Sequence, residues 1–245
     1  MVNSIKKLRD VCQKSVLPVN TWYQVHVGRK ISIYLTWLFI KLGVSPDAVS
    51  IGIIPFGLFV TYFFTLGTYY GFLIGGLLLQ FWYLLDLSDG EVARYHKQRS
   101  AKGSFLDKVN HIFVHPAIFL SMGIGFYNKF NNPLFILLGG ITACALLMQD
   151  LINLHKLVAL VRYKVVKDIQ IGVDETKEIP GSLFHKIFKK ITSWIYKVPG
   201  MMNIITIATI FNLTYYVFLF YSFTFLILVI IKTSYNISIP RDRFK

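Results

Sequence analysis

Residues 66–111 read LGTYYGFLIGGLLLQFWYLLDLSDGEVARYHKQRSAKGSFLDKVNH. From Leu66 to Leu85 the stretch carries no charge, and it then turns polar, with three aspartates and a histidine at Asp86, Asp89, Asp107 and His111. A helix needs about 20 apolar residues to cross roughly 30 Å of hydrocarbon. Ionisable groups at the edge of such a span are expensive, so by default they mark a functional site. Membrane insertion and chemistry are therefore both written into this one stretch.

Working outward, the 245 residues are 54% hydrophobic, with a mean hydropathy of +0.54. That composition belongs to an all-α integral membrane protein and not to a soluble globule. Six transmembrane helices are predicted near 48–66, 69–88, 105–127, 133–155, 195–211 and 213–231. The last two share an uncharged run of 31 residues, Met201–Ile231, about 46 Å as one helix and so too long for one upright span. Extension back through Ile191, Trp194 and Ile195 makes room for two, with Asn212 near the turn.

Charge placement supports the count. With six spans, seven Lys and Arg residues precede the first, five lie between spans two and three when Lys108 at the near end of span three is included, nine between four and five with Lys197 at the near end of span five, and four follow the last. Only Lys129 falls on the other side. The positive-inside rule then places both termini and residues 86–111 in the cytosol, with the plasma membrane of a prokaryote as the expected location. Five spans would export the tail holding Arg241, Arg243 and Lys245. The net charge of +14 follows from basic loops beside anionic headgroups, and no aromatic-basic motif points to nucleic acid. Cys12 and Cys144 fall in a cytosolic arm and a span, where neither a disulfide nor metal chemistry is expected.

Three regions are expected: a cytosolic arm at 1–45, a six-helix catalytic domain at 46–232 with a cytosolic loop at about 156–193, and a basic tail at 233–245. In the arm, Ile31, Ile33, Tyr34, Trp37, Leu38, Lys41 and Leu42 recur at helical spacing, which predicts an amphipathic interfacial helix ended by Gly43. Ser45 and Pro46 suit the N-cap and first position of the next helix. In the loop, Phe184, Ile187, Phe188 and Ile191 predict a second surface helix.

Helical geometry gathers the ionisable residues. At 100° per residue, Asp86, Asp89, Gly90 and Ala93 share one face of a helix leaving the membrane. Gly103, Asp107 and His111 share a face of the next, which the spacing starts near Gly103 after a connection at 95–102. Two such faces can meet, and three converging carboxylates repel unless cations neutralise them. An oxygen-rich cluster suits Mg²⁺ or Mn²⁺. Gly90, Ala93 and Gly103 add no bulk, leaving a slot for a substrate, and Arg94 is a candidate phosphate clamp. Together these point to transfer chemistry on a phosphoanhydride. Asp-Gly is also an ordinary turn signal and small residues are common packing devices, but neither places three aspartates on facing stripes.

The pattern Asp86, Asp89-Gly90, Ala93-Arg94, Gly103 and Asp107 resembles the signature of the CDP-alcohol phosphotransferases in identity and spacing. Leu42-Gly43-Val44-Ser45-Pro46-Asp47 resembles that family's lead into its first span, with Asp47 where Asn is usual. The resemblance implies a CDP-linked donor, either CDP-diacylglycerol or a soluble CDP-alcohol. It implies a lipid or polyol acceptor hydroxyl, and CMP as leaving group, in phospholipid or lipid-linked glycan biosynthesis. It also implies two divalent ions held near the pyrophosphate by Asp86, Asp89 and Asp107, and a cytidine and phosphate pocket lined by Gly90, Ala93, Arg94 and Gly103 beside Asp89. Many members are homodimers, which glycines at Gly71, Gly75, Gly76, Gly139 and Gly140 permit.

The chain departs from the pattern where a fourth aspartate is usual and His111 stands instead. A neutral imidazole can accept a proton or bind a metal, so His111 is expected as metal ligand, as base, or as both, with Asp107 its catalytic partner. His115, one turn on, is expected to pack or hydrogen-bond within its span beside Pro116. Asp150, Asn153 and His155 form a further polar group that would help bind the acceptor if it faced the bundle, and Arg162 could hold an acceptor phosphate. The rival readings are a transporter or ion channel with an acidic cation site, or an inactive member of the family. Transporters bury such groups at the midplane between broken helices, and here they stand at a span's end.

Overall fold

The structure, a computed structural model, describes residues 4–98, 100–162, 195–196 and 199–237. The expected second surface helix around residues 184–191 and the basic tail with Arg241, Arg243 and Lys245 lie outside the described residues. Everything described is helix, turn or loop, with no strand. The chain runs through α1 (Ile5–Cys12), α2 (Arg29–Lys41), α3 (Pro46–Thr65), α4 (Tyr69–Tyr95), α5 (Ala101–Phe130), α6 (Leu134–Arg162), α7 (Gly200–Ile210) and α8 (Thr214–Ile237).

Five of these helices, α3, α4, α5, α6 and α8, are long and apolar enough to cross a membrane. They are apolar on both sides, as a lipid-immersed bundle must be. Trp82, Tyr83, Phe64, Phe119, Phe126 and Tyr221 are fully buried among the helices, while Phe59, Leu77, Phe113, Leu137 and Ile230 are exposed where lipid would be. The fifth expected span, 195–211, is represented by α7, whose 11 residues reach about 16 Å, half the hydrocarbon. Ile195 and Tyr196 before it are helical too, and the Tyr221 hydroxyl donates to the Ile195 carbonyl at 2.9 Å. Pro199 is the N-cap of α7, and its carbonyl accepts from the Asn203 amide at 3.0 Å. Asn212, at φ +57°, makes the tight turn into α8, as expected.

Caps set where the helices begin. Ser45 Oγ accepts from the Ala48 amide with Pro46 in the first turn of α3, Thr68 accepts from Gly71 at the start of α4, and Ser100 accepts from Gly103 at the start of α5. The Ser100 cap starts α5 at Ala101, ahead of the expected Gly103, and α4 runs on to Tyr95. The connection therefore shrinks to residues 96–100, so α4 and α5 run in opposite directions, each packed against α3.

The glycines expected at a dimer face serve the interior of one chain. A Cβ on Gly71 would press on the Phe63 carbonyl, one on Gly75 on the Phe64 ring, one on Gly76 on Thr209, and one on Gly139 on the Phe119 carbonyl. Only Gly140 of that set meets open space. Small residues here let backbones approach within a protomer, as membrane helices without a hydrophobic drive require. Gly67 adds a conformational demand, since it turns the chain between α3 and α4 at φ +68° against the Gly125 carbonyl.

α2 is amphipathic as expected, and its apolar side points out. Ile31, Tyr34, Trp37, Leu38 and Leu42 are exposed, and Gly43 (φ +68°) ends the helix. The inward side carries Arg29, Ser32, Ile33 and Thr36, all buried. α1, which the sequence did not announce, packs on both α2 and α4, with Leu8, Cys12 and Ile33 forming a small second core.

Candidate functional site

Asp86 sits on α4 at the level where its neighbours cease to be apolar, and Asp107 and His111 sit one turn apart on α5. α3 packs against both α4 and α5, and beside it the side chains of Asp86 and Trp82 on α4 reach those of Asn110 and His111 on α5. Each of Asp86, Asp107 and His111 offers a ligand atom within 4.8 Å of the others'. His111 Nε2 lies 3.7 Å from Asp86 Oδ1 and 3.6 Å from Asp107 Oδ1. Asp107 is the most open of the three, with 45% of its side chain exposed, against 15% for Asp86 and 21% for His111. Donors on opposite sides of a Mg²⁺ stand about 4.2 Å apart at the ideal ligand distance. Two carboxylates and an imidazole at this separation fit a small divalent cation.

Asp89 lies outside that tight group. Ser50 of α3 donates to its Oδ1 at 2.7 Å, which fixes the carboxylate toward α3. Asn110, buried beside Asp86, donates to Asp86 Oδ1 at 3.2 Å. Neither Ser50 nor Asn110 was foreseen. A polar residue on an inward helix face within a span is the signal that could have found them.

The expected slot at Gly90 is filled by Arg94. A Cβ on Gly90 would meet Arg94 Nη1 at 3.2 Å, so the missing side chain seats a guanidinium and leaves no open floor. Arg94 Nε in turn donates to the Cys12 carbonyl at the end of α1. Ala93 is half-buried on the same helix. Gly103 is open, its Cβ position meeting only Ser100 Oγ at 3.5 Å. Lys102 pairs with Asp47 at the start of α3.

Glu91, next to Gly90 and turned away from the aspartates, is fully buried. Its Oε1 accepts from Arg29 Nη1 at 2.8 Å, Gln13 Nε2 at 2.9 Å and Ser32 Oγ at 2.7 Å. Its Oε2 accepts from Thr36 Oγ1 at 2.6 Å. A buried carboxylate with a cation and three further donors is satisfied, and this one ties α1 and α2 to the helix carrying Asp86, Asp89 and Arg94. Cys12, buried in the same region, has its thiol pushed up to about 11 by burial and then by the Glu91 charge. At neutral pH it stays a thiol.

His115 lies beneath His111, its Nε2 3.1 Å from His111 Nδ1. Trp82 meets both rings edge-on, at centroid distances of 5.8 Å and 5.9 Å. Asp150, Asn153 and His155 are exposed and do not turn into the bundle. The His155 ring instead contacts the Leu151 carbonyl at 2.9 Å on its own helix. The Arg162 side chain lies outside the described residues.

The described residues thus form an all-helical bundle with five candidate membrane spans, two of which bring together a carboxylate–imidazole cluster able to hold a cation. Comparison with protein families gives the class: residues 44–231 match the family described as CDP-alcohol phosphatidyltransferase, and the chain belongs to it. It is thus a membrane phosphotransferase acting on a CDP-alcohol, not a transporter or channel. Such enzymes are generally metal-dependent. A comparison with curated proteins returned no match.

Proposed function

We propose that this enzyme transfers a phosphatidyl or phospho-alcohol group from a CDP-linked donor to an acceptor hydroxyl, releasing CMP, at a site open to the cytosol. The observation that carries this reading is the convergence of Asp86, Asp107 and His111 within 4.8 Å inside the matched family region. The cytosolic orientation rests on the Lys and Arg distribution, with Lys129 alone on the far side.

Asp86, Asp107 and His111 would hold one divalent cation, Mg²⁺ or Mn²⁺, and Asp89, which accepts from Ser50, would anchor a second. When bound, these ions would neutralise charge on the donor's pyrophosphate. Arg94, braced by Gly90 and the Cys12 carbonyl, presents its guanidinium to a phosphate, and the open surface at Gly103 with Ala93 admits the cytidine. The acceptor oxygen bonds to the phosphorus bearing the alcohol, the anhydride bond to the CMP phosphate breaks, and CMP leaves with the bridging oxygen. The acceptor's proton passes to Asp107, the most open carboxylate of the group. The exposed apolar face of α2 would rest in the interface, where a lipid substrate arrives.

Phase partition distinguishes the two donor classes. Purified protein with Mg²⁺ or Mn²⁺ receives CDP-diacylglycerol plus labelled polyols, or labelled soluble CDP-alcohols plus membrane lipid. Label moving into the organic phase with equimolar CMP identifies the donor that works. No transfer from any CDP-linked donor would defeat the reading and leave an inactive member of the family.

A further inference from the structure

His111 has two ring nitrogens, and the structure gives them different neighbours. Nε2 faces Asp86 and Asp107 at 3.7 Å and 3.6 Å. Nδ1 faces His115 Nε2 at 3.1 Å. Two neutral imidazoles in this contact share one hydrogen, so one nitrogen donates and the other accepts. With Nδ1 engaged, His111 keeps a single nitrogen for chemistry. That nitrogen can hold a cation or take a proton, but it cannot do both at once.

We infer that His111 is a metal ligand through Nε2, and that His115 is the positioning residue that makes it one by accepting the Nδ1 hydrogen. This deepens the proposed cation site and rests on it. A lone pair on Nε2 requires the hydrogen on Nδ1, and an acceptor at 3.1 Å favours that tautomer. Partners of this kind fix ring orientation and raise the basicity of a ligating histidine. Three further features hold the pair rigid. The rings lie 4.8 Å apart, tilted by 48°. Trp82, fully buried, walls both edge-on. Gly57 of α3 leaves the space into which Trp82 Nε1 projects, since a Cβ there would stand 2.6 Å from it. A histidine one turn beyond a fourth-position histidine thus has a use that it would lack beside an aspartate, which needs no tautomer set.

The test reads binding without turnover. Mn²⁺ affinity of the purified full-length protein is measured by paramagnetic resonance of the free ion, with no nucleotide present. His115→Phe keeps the ring's bulk and removes the acceptor, and the affinity should fall about tenfold or more, the usual effect of losing such a partner. His115→Gln, whose amide oxygen can accept the same hydrogen, should recover most of it. In a His111→Asp background, His115→Phe should have no effect, because no tautomer remains to be set. Equal losses in both backgrounds, or parental affinity in His115→Phe, would overturn the role of His115 and leave the cation site standing. A parent protein that binds no Mn²⁺ would overturn both.

Discussion

Arg29 and Glu91, 62 positions apart, form a buried ion pair at 2.8 Å with side chains 8% and 0% exposed. The pair fastens the segment before the membrane to the helix that carries the site. Removing one member of a buried pair strands the other's charge, at about 3–5 kcal/mol. Glu91→Ala should therefore lower the thermal unfolding midpoint in detergent sharply, and the double variant Arg29→Met/Glu91→Leu should be more stable than either single variant. Unchanged melting of Glu91→Ala would show that the arm contributes nothing to stability.

Asp86→Asn and Asp107→Asn remove cation ligands while keeping shape. Both should lose CMP release almost entirely, with melting close to that of the parent. Near-parental turnover in both variants would remove the carboxylates from the chemistry.

His111→Asp restores the residue usual at this position in the pattern that the chain resembles. Replacing nitrogen by oxygen among the ligands should move metal preference toward Mg²⁺ and away from Mn²⁺ and Co²⁺. Activity profiles across these three ions check it, and an unchanged order would deny His111 a place at the cation.

Gly57→Ala puts a Cβ 2.6 Å from Trp82 Nε1 and 2.5 Å from Val114 Cγ2. Overpacking of this kind costs about 1–3 kcal/mol. Because Trp82 walls His111 and His115, turnover should fall along with the melting temperature. Gly52→Ala, where a Cβ meets nothing, serves as the control and should leave both intact.

Orientation is tested by single cysteines in a background with Cys12 and Cys144 changed to Ala. Asn131→Cys should react with an impermeant thiol reagent added to intact cells, and Gln98→Cys should not. The reverse pattern would place the site outside the cell.

Five of the spans and the grouping of Asp86, Asp107 and His111 were legible from uncharged length and helical spacing. Uncharged length marks a membrane helix, and i, i+4 spacing brings Asp107 and His111 together whatever surrounds them. The inward side of α2 was not legible. In a bundle immersed in lipid, an apolar stripe such as Ile31, Tyr34 and Leu38 marks the outside, so the partners of Glu91 lay on the side that carried no signal. Gly90 was read as open space because periodicity cannot show that Arg94 folds back over it.

The central claim is cation-dependent transfer from a CDP-linked donor at the Asp86–Asp107–His111 cluster, and CMP release tests it most directly. Purified protein is stripped with EDTA, supplied with CDP-diacylglycerol or a CDP-polyol together with acceptor, and CMP is measured before and after Mg²⁺ or Mn²⁺ is returned. The expected result is no CMP without the ion, release on its return, and none at all from Asp86→Asn. CMP release that persists in EDTA, or that survives in Asp86→Asn, would contradict the account.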